Sequence, residues 1–192
     1  NELLGDAALP VETFLAELFG EELAAKEDAA FFTGDGSNKP TGILTVASIP
    51  TVDAGANITP EDIFALWDAL EPQYRANAAW VMNPATLGAI RRLQDNTGRY
   101  LLVDSLAAGT PDTLLGRPVY LSANMPTIGA GAKSIILADF QRAYYIADRQ
   151  GMDVQRSVDR YFEQDVTAFR AIVRTDGKVA LPEAARILVH AD

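Results

Sequence analysis

The sequence contains no cysteine, a single histidine (His190), and 16 basic residues against 26 acidic ones, for a net charge of −10. Without cysteine there are no disulfides and no thiolate metal sites, which fits a reducing cytoplasm. With one histidine, any histidine-based dyad or metal cluster has to be built around a residue two positions from the C-terminus, and we read His190 as an incidental surface residue. The shortage of basic residues argues against tight, direct nucleic-acid binding. A phosphate-binding surface carries a basic patch, and the only adjacent basic pair here is Arg91-Arg92. No apolar run approaches the roughly 18 residues that cross a bilayer as a helix. No basic start followed by an apolar stretch marks a secretory signal. The first residue is Asn1 rather than methionine, so we expect that a segment upstream has been removed.

What is present is ordinary globular material. Across 192 residues, 48% are apolar and 22% charged, enough to bury a substantial core in one domain or two small ones. Pro10 suits the first turn of a helix that runs to Phe31. Val11, Phe14, Leu15, Leu18, Ala25 and Ala29 recur at three- and four-residue steps along it, and we expect this stripe to face the long strands downstream. Glu12, Glu17, Glu21, Lys26 and Glu27 lie mostly off the stripe. Gly20 weakens the middle by about 1 kcal/mol relative to alanine, and Gly34 ends a helix roughly 33 Å long.

Further along, Ile43–Ser48 reads as a short strand. Thr59-Pro60-Glu61-Asp62 has the form of a helix start, with Thr59 as cap and acids in the first turn. Ile63, Leu66, Trp67, Leu70 and Tyr74 form its buried face, and Pro72 interrupts it. Ala78–Met82 reads as a strand, and Asn83-Pro84 as the cap and first residue of a helix with Leu87, Ile90 and Leu93 inward. Asp95-Asn96-Thr97-Gly98 is a turn. Short strands follow at Val119–Ser122, Ser134–Ala138 and Ala143–Ala147, then two long ones at Val154–Tyr161 and Thr167–Thr175. Asp176-Gly177 reads as a turn, and Ala185–Val189 as the last strand. There is no internal repeat and no low-complexity tract. The pattern is that of one α+β body.

Candidate chemistry is sparse. Gly34-Asp35-Gly36 opens like a phosphate-cradling loop, but the position of the third glycine is Lys39, and the segment follows a helix rather than a strand. In Gly129-Ala130-Gly131-Ala132-Lys133-Ser134 the lysine is not directly preceded by glycine, and the segment leads into a strand. Both read as structural turns. Glu12, Glu17, Glu21, Glu22, Glu27 and Asp28 are most simply the solvated face of an amphipathic helix. Trp67, Tyr74 and Trp80 have core spacing rather than that of a base-stacking platform. Asp95 and Arg99 are placed to pair across their turn. We assign no catalytic, cofactor-binding or metal residues, because no nucleophile, base and stabiliser converge.

Four phrases recur in a fixed order: Phe31-Phe32-Thr33-Gly34-Asp35-Gly36 with Pro40-Thr41-Gly42-Ile43-Leu44; Met82-Asn83-Pro84 through Asp95-Asn96-Thr97-Gly98-Arg99-Tyr100-Leu101; Leu115-Gly116-Arg117-Pro118-Val119; and Asn124-Met125-Pro126. Together with the long acidic helix they resemble the major capsid protein of tailed bacteriophages with the HK97-type fold, from about Leu9 to the C-terminus. The resemblance implies an α+β fold with a peripheral domain (residues 1–36, the spine helix, and 140–178, the long strands). It implies an axial domain from residues 37–139 and the C-terminal strand at 179–192. It also implies a structural protein, not an enzyme, without cofactor. Such a protein assembles in the bacterial cytoplasm into pentamers and hexamers of an icosahedral phage or prophage shell, the virion capsid. Its partners are then itself, scaffold, protease and portal proteins, and packaged DNA held without tight specific binding; no membrane is involved. Loops around Leu101–Asp112 are the expected contacts at the capsomer centre.

Family members carry an N-terminal arm and an extended loop before the spine helix. This chain therefore resembles the folded core of a longer capsid protein and is expected not to close shells alone. The type member crosslinks a loop lysine to an asparagine with help from a glutamate. The corresponding positions here are Asp165 and Ile172, which implies no such bond. An encapsulin-like nanocompartment shell protein is the nearest alternative, and a small α+β enzyme or binding module the alternative of another class.

Overall fold

The computed structural model describes residues 11–94, 112–161, 163 and 166–191. A long helix α1 (Val11–Thr33) leads through a turn region to β1 (Thr51–Ala54), α2 (Pro60–Ala69), a single-turn helix α3 (Pro72–Arg75), β2 (Ala79–Met82) and α4 (Pro84–Arg91). Then come β3 (Thr113–Leu114), β4 (Arg117–Leu121), β5 (Lys133–Ala138), a short α5 (Phe140–Ala143), β6 (Tyr144–Tyr161), β7 (Val166–Val179), a 3₁₀ turn (Pro182–Ala184) and β8 (Ala185–His190).

Two sheets result. One has six strands in the order β1-β8-β5-β2-β4-β3; the other is the two-stranded ribbon β6-β7. In the larger sheet β1 runs parallel to β8 and β2 parallel to β4, while the remaining pairs are antiparallel. The C-terminal strand sits between β1 and β5, so the sheet is completed only when the last residues are in place. Central strands are buried on both faces, as their near-continuous apolar sequences require: Trp80, Met82, Ile135, Ile136, Leu137, Ile187 and Leu188 have essentially no exposed surface. Leu66 of α2 and Leu70, the residue just after it, belong to the same core. Trp67 stacks on Trp80 with ring centroids 6.3 Å apart, so these aromatics are core residues, as their spacing indicates.

Local chemistry accounts for the helix starts. Thr59 and Asp62 form a reciprocal capping box on α2, with Pro60 in its first turn. Asn83 accepts from the Ala85 N–H at 2.9 Å, and Pro84 begins α4. The helix that opens at Pro60 stops at Ala69 and restarts at Pro72, where the missing N–H and the ring forbid continuation.

Several expectations are corrected. Ile43–Ser48 is not a strand: its backbone is committed to the end of α1, and the strand comes later, at Thr51–Ala54. Ala143–Ala147 and Val154–Tyr161 are not separate strands: Ala143 ends α5, and Tyr144–Ala147 and Val154–Tyr161 belong to one 18-residue strand interrupted by register shifts. Asp176-Gly177 is not a turn. It lies inside β7, opposite Ala147 and Ile146, and the antiparallel pairing runs on to Tyr161 and Val166. A strand of this length cannot be read from alternation because each bulge resets the period.

The helix–ribbon junction and its open faces

The first of the four phrases is the place where α1, the following loop and the ribbon are tied together. A helix end leaves its last carbonyls without partners. Here the chain folds back and satisfies them: Gly42 N–H donates to Gly34 O at 2.8 Å, Ile43 N–H to Phe31 O at 2.9 Å and Leu44 N–H to Phe32 O at 3.0 Å. The approach is so close that a Cβ on Gly34 would collide with the carbonyls of Pro40 and Ala30, and one on Gly42 with the Phe32 carbonyl group. Gly36 and Asn38 turn the loop through left-handed conformations, with φ of 77° and 56°. Ser37 N–H donates to Asp35 Oδ1 at 2.9 Å, and that bond holds the Asp35 carboxyl below its ordinary value.

The same loop then binds the ribbon. Thr41 N–H donates to Gly177 O at 2.9 Å, and the Tyr144 hydroxyl donates to Thr41 O at 2.9 Å. Phe31 meets Tyr144 edge-on, with centroids 6.0 Å apart. Gly177 is buried against both rings. Burial, followed by the charge of Asp176, pushes the Tyr144 phenol up to about 12.

Two other phrases form a second tie. Asn83 Nδ2 donates to Met125 O at 2.8 Å. Ser122 Oγ and Asn124 Nδ2 donate to the Asp28 carboxylate on α1 at 2.8 and 2.6 Å. The segment Asn124-Met125-Pro126 is therefore held on one side by the start of α4 and on the other by the long helix. Leu115-Gly116 is a two-residue hairpin turn between β3 and β4, with φ of 51° and 74°. Arg117 reaches from its far side to Ala76 O at 2.6 Å. The phrases are structural joints, and nothing in their sequences marks which joint meets which.

His190 is not at the surface. It is 2% exposed, its Nε2 lies 2.7 Å from Ser134 Oγ, and its Nδ1 lies 2.8 Å from Gly55 O. The carbonyl requires a proton on Nδ1, so in the neutral ring Nε2 accepts from the serine hydroxyl. The pair has the atoms of a nucleophilic dyad but not its setting, because Ser134 has no exposed surface and the third partner is a carbonyl. It links β5 and β8 to the end of β1. The clue missed in the sequence is strand alternation, which puts His190 on the same face as buried Leu188 and Arg186. Gly131 makes the left-handed turn into β5, with φ of 64°, the structural role expected for that glycine segment. Among the described residues no group of three or more His, Cys, Asp or Glu side chains is arranged to hold a metal ion. Asp95, Arg99, residues 101–111 and Asp165 lie outside the described residues.

The stripe expected to face the strands is also corrected. Phe19 and Leu23 line a groove with Ala171 and Val173 of β7, so this is the side of α1 that meets the ribbon. Phe14 and Leu18 are 58% and 44% exposed and point the other way. The helix has apolar residues on both sides, and periodicity alone cannot say which side finds a partner within the chain. On the ribbon, Tyr145, Ile146 and Met152 are exposed as well.

The sequence matches the phage capsid family over residues 1–190. No curated protein matches it. Among solved structures, the capsid of a native GTA particle, computed with C5 symmetry, is 38% identical with a TM-score of 0.90; the match covers 100% of this chain and 69% of that one. A structure of Gordonia phage Cozz (16% identity, TM-score 0.71, 100% and 67% covered) and the holo-SrpI encapsulin complex from Synechococcus elongatus (17% identity, TM-score 0.76, 100% and 70% covered) share the fold. From the family match over nearly its whole length and the closely similar GTA capsid, the chain belongs to the phage capsid family, as a shell-forming major capsid protein of the HK97-type fold.

Proposed function

We propose that this chain forms the body of a subunit that assembles into pentamers and hexamers of an icosahedral shell around packaged DNA. The carrying observation is the 38% identity to a native GTA capsid computed with C5 symmetry, over the whole of this chain. In this reading α1 and the β6-β7 ribbon (within residues 1–36 and 140–178) are the peripheral domain. The six-stranded sheet (within residues 37–139 and 179–192) is the axial domain. The two ties at Thr41–Gly177 and Asp28–Asn124 support treating them as one rigid subunit. The net charge of −10 suits an inner wall that does not grip the phosphate backbone. Scaffold, protease and portal proteins are the further partners, the cytoplasm is the place of assembly, and no catalytic step is assigned to any residue.

The test is electron microscopy of the protein expressed at its natural length. Closed shells with five-fold vertices are the expected result. Monomers or amorphous aggregate under every ionic condition, with the fold intact, refute the reading.

A further inference from the structure

Strand β8 follows every other strand of both sheets in the chain, yet in space it lies between β1 and β5. It runs parallel to β1 over Thr51–Ala54 and antiparallel to β5 over Lys133–Ala138. Among the described residues β1 pairs with no other strand. Without β8, therefore, β1 has no ladder. Strand β5, with its apolar Ile135, Ile136 and Leu137, is left with an open edge. Ile187 and Leu188 of β8 have no exposed surface, so the strand also completes the core.

Two polar side chains mark the ends of the strand. Arg186 is 9% exposed; its Nε donates to Ala69 O at the end of α2 at 2.9 Å, and its Nη1 donates to Glu183 O and Ala185 O, each at 2.8 Å. At the other end His190 meets Ser134 of β5 through Nε2 and Gly55 O, just past β1, through Nδ1. The backbone there is closed as well: Gly131 N–H donates to His190 O at 3.2 Å, and Ala191 N–H to Ala54 O at 2.8 Å. A slip of the strand by two residues keeps the same faces inward but takes both side chains away from these partners, in a core where an unmet polar group is costly. Arg186 and His190 thus fix the register.

We propose that β8 is a closing strand: the rest of the chain presents a slot between β1 and β5 that accepts one extended segment with these polar ends, and a subunit joins a shell only once the slot is filled. This rests on the shell-subunit reading above and adds a control to it. Because residues 185–190 come after every other strand, the slot stays empty until they have been made. A chain interrupted before them has the other strands of the sheet but not the ladders that join β1 to β5. Such a chain stays out of the wall, which is then built only from subunits whose sheet is complete. Recognition is by backbone ladders of opposite sense on two sides, which is strand addition inside a sheet rather than at its edge.

Cleavage of the natural-length protein tests this. A protease recognition sequence is inserted between Ala180 and Leu181, ahead of the 3₁₀ turn, where Ala180 is exposed. Cut after folding, the protein is expected to retain the released segment in gel filtration and to form shells as the uncut protein does. After unfolding in urea and removal of that segment, refolding is expected to give shells only when a synthetic peptide of residues 181–192 is added. A His190→Ala peptide loses both side-chain bonds of the histidine, so half-maximal recovery is expected to need about tenfold more of it. Shells from the large fragment without peptide overturn the proposal. Failure of the peptide to restore them, when the uncut protein recovers from the same urea step, also overturns it, as does equal potency of the two peptides. Absence of shells from the unaltered protein overturns the shell-subunit reading itself, so the two failures are distinguishable.

Discussion

Gly177→Ala tests the junction that ties the long helix to the ribbon. The backbone at Gly177 is not in the left-handed region, so alanine is conformationally acceptable there and gains about 0.4–1 kcal/mol by restricting the unfolded chain. The obstacle is space. The new methyl group runs into the Tyr144 hydroxyl and comes within 3.0 Å of the Phe31 ring. Tyr144 has to swing away, which breaks its 2.9 Å bond to Thr41 O, worth about 1 kcal/mol. It also disturbs the edge contact with Phe31, worth about 0.5–1.5 kcal/mol. The net expectation is a loss of about 1–2 kcal/mol, seen as a melting temperature lower by about 2–8 °C. Equilibrium urea unfolding followed by circular dichroism gives the free energy. Gly129→Ala serves as control, since nothing lies within 4 Å of its added carbon; its effect is expected within about 0.5 kcal/mol. In a Tyr144→Phe background the nearest obstacle is gone, so the cost of Gly177→Ala shrinks by about 0.5 kcal/mol or more. A Gly177→Ala protein as stable as wild type, or an equal cost in both backgrounds, refutes the packing described.

Other outcomes follow from the same structure. Asp28→Ala removes the acceptor of Ser122 and Asn124 and is expected to cost about 2–3 kcal/mol in urea unfolding, as for hydrogen bonds to a charged group; a change under about 0.5 kcal/mol contradicts the tie. The Tyr144 phenol titrates near 12 in the fold against 10.0 ordinarily, so between these pH values the unfolded chain has released a proton that the fold still holds. Stability therefore declines as pH rises through that window, and Tyr144→Phe should flatten the decline in pH-dependent melting. Mature particles should run as a single subunit band on a denaturing gel, because Asp165 has no amide leaving group and Ile172 takes no proton; a ladder of linked subunits disproves this.

Elements whose signal is local were legible in the sequence. Thr59-Pro60 and Asn83-Pro84 announce helix starts because the cap and its acceptor lie within a few residues. The buried strands at Ala79–Met82 and, beyond Lys133 and Ser134, at Ile135–Ala138 announce themselves by unbroken apolar character. The candidate surface was not legible in the same way. Phe14 and Leu18 have the spacing of core residues but are exposed, while His190, chemically suited to a surface, is buried. In both cases the deciding fact is what lies across from the residue, and that partner is distant in the chain.

The sequence by itself determined the helix starts at Thr59-Pro60 and Asn83-Pro84, the turn glycines at Gly34 and Gly131, the apolar strands at the centre of the sheet and, through its four ordered phrases, the family. Those depend on backbone conformation and on contacts within a turn or two, which neighbouring residues specify. Only the tertiary structure decided that Ile43 and Leu44 cap a helix instead of forming a strand, and that Gly177 sits in a strand against Tyr144. It alone decided that β8 completes the sheet between β1 and β5, and which side of α1 stays open. A hydrogen-bond donor or an apolar face is satisfied equally well by many partners. Which one it meets depends on how segments more than a hundred residues apart pack together, and local sequence carries no record of that choice.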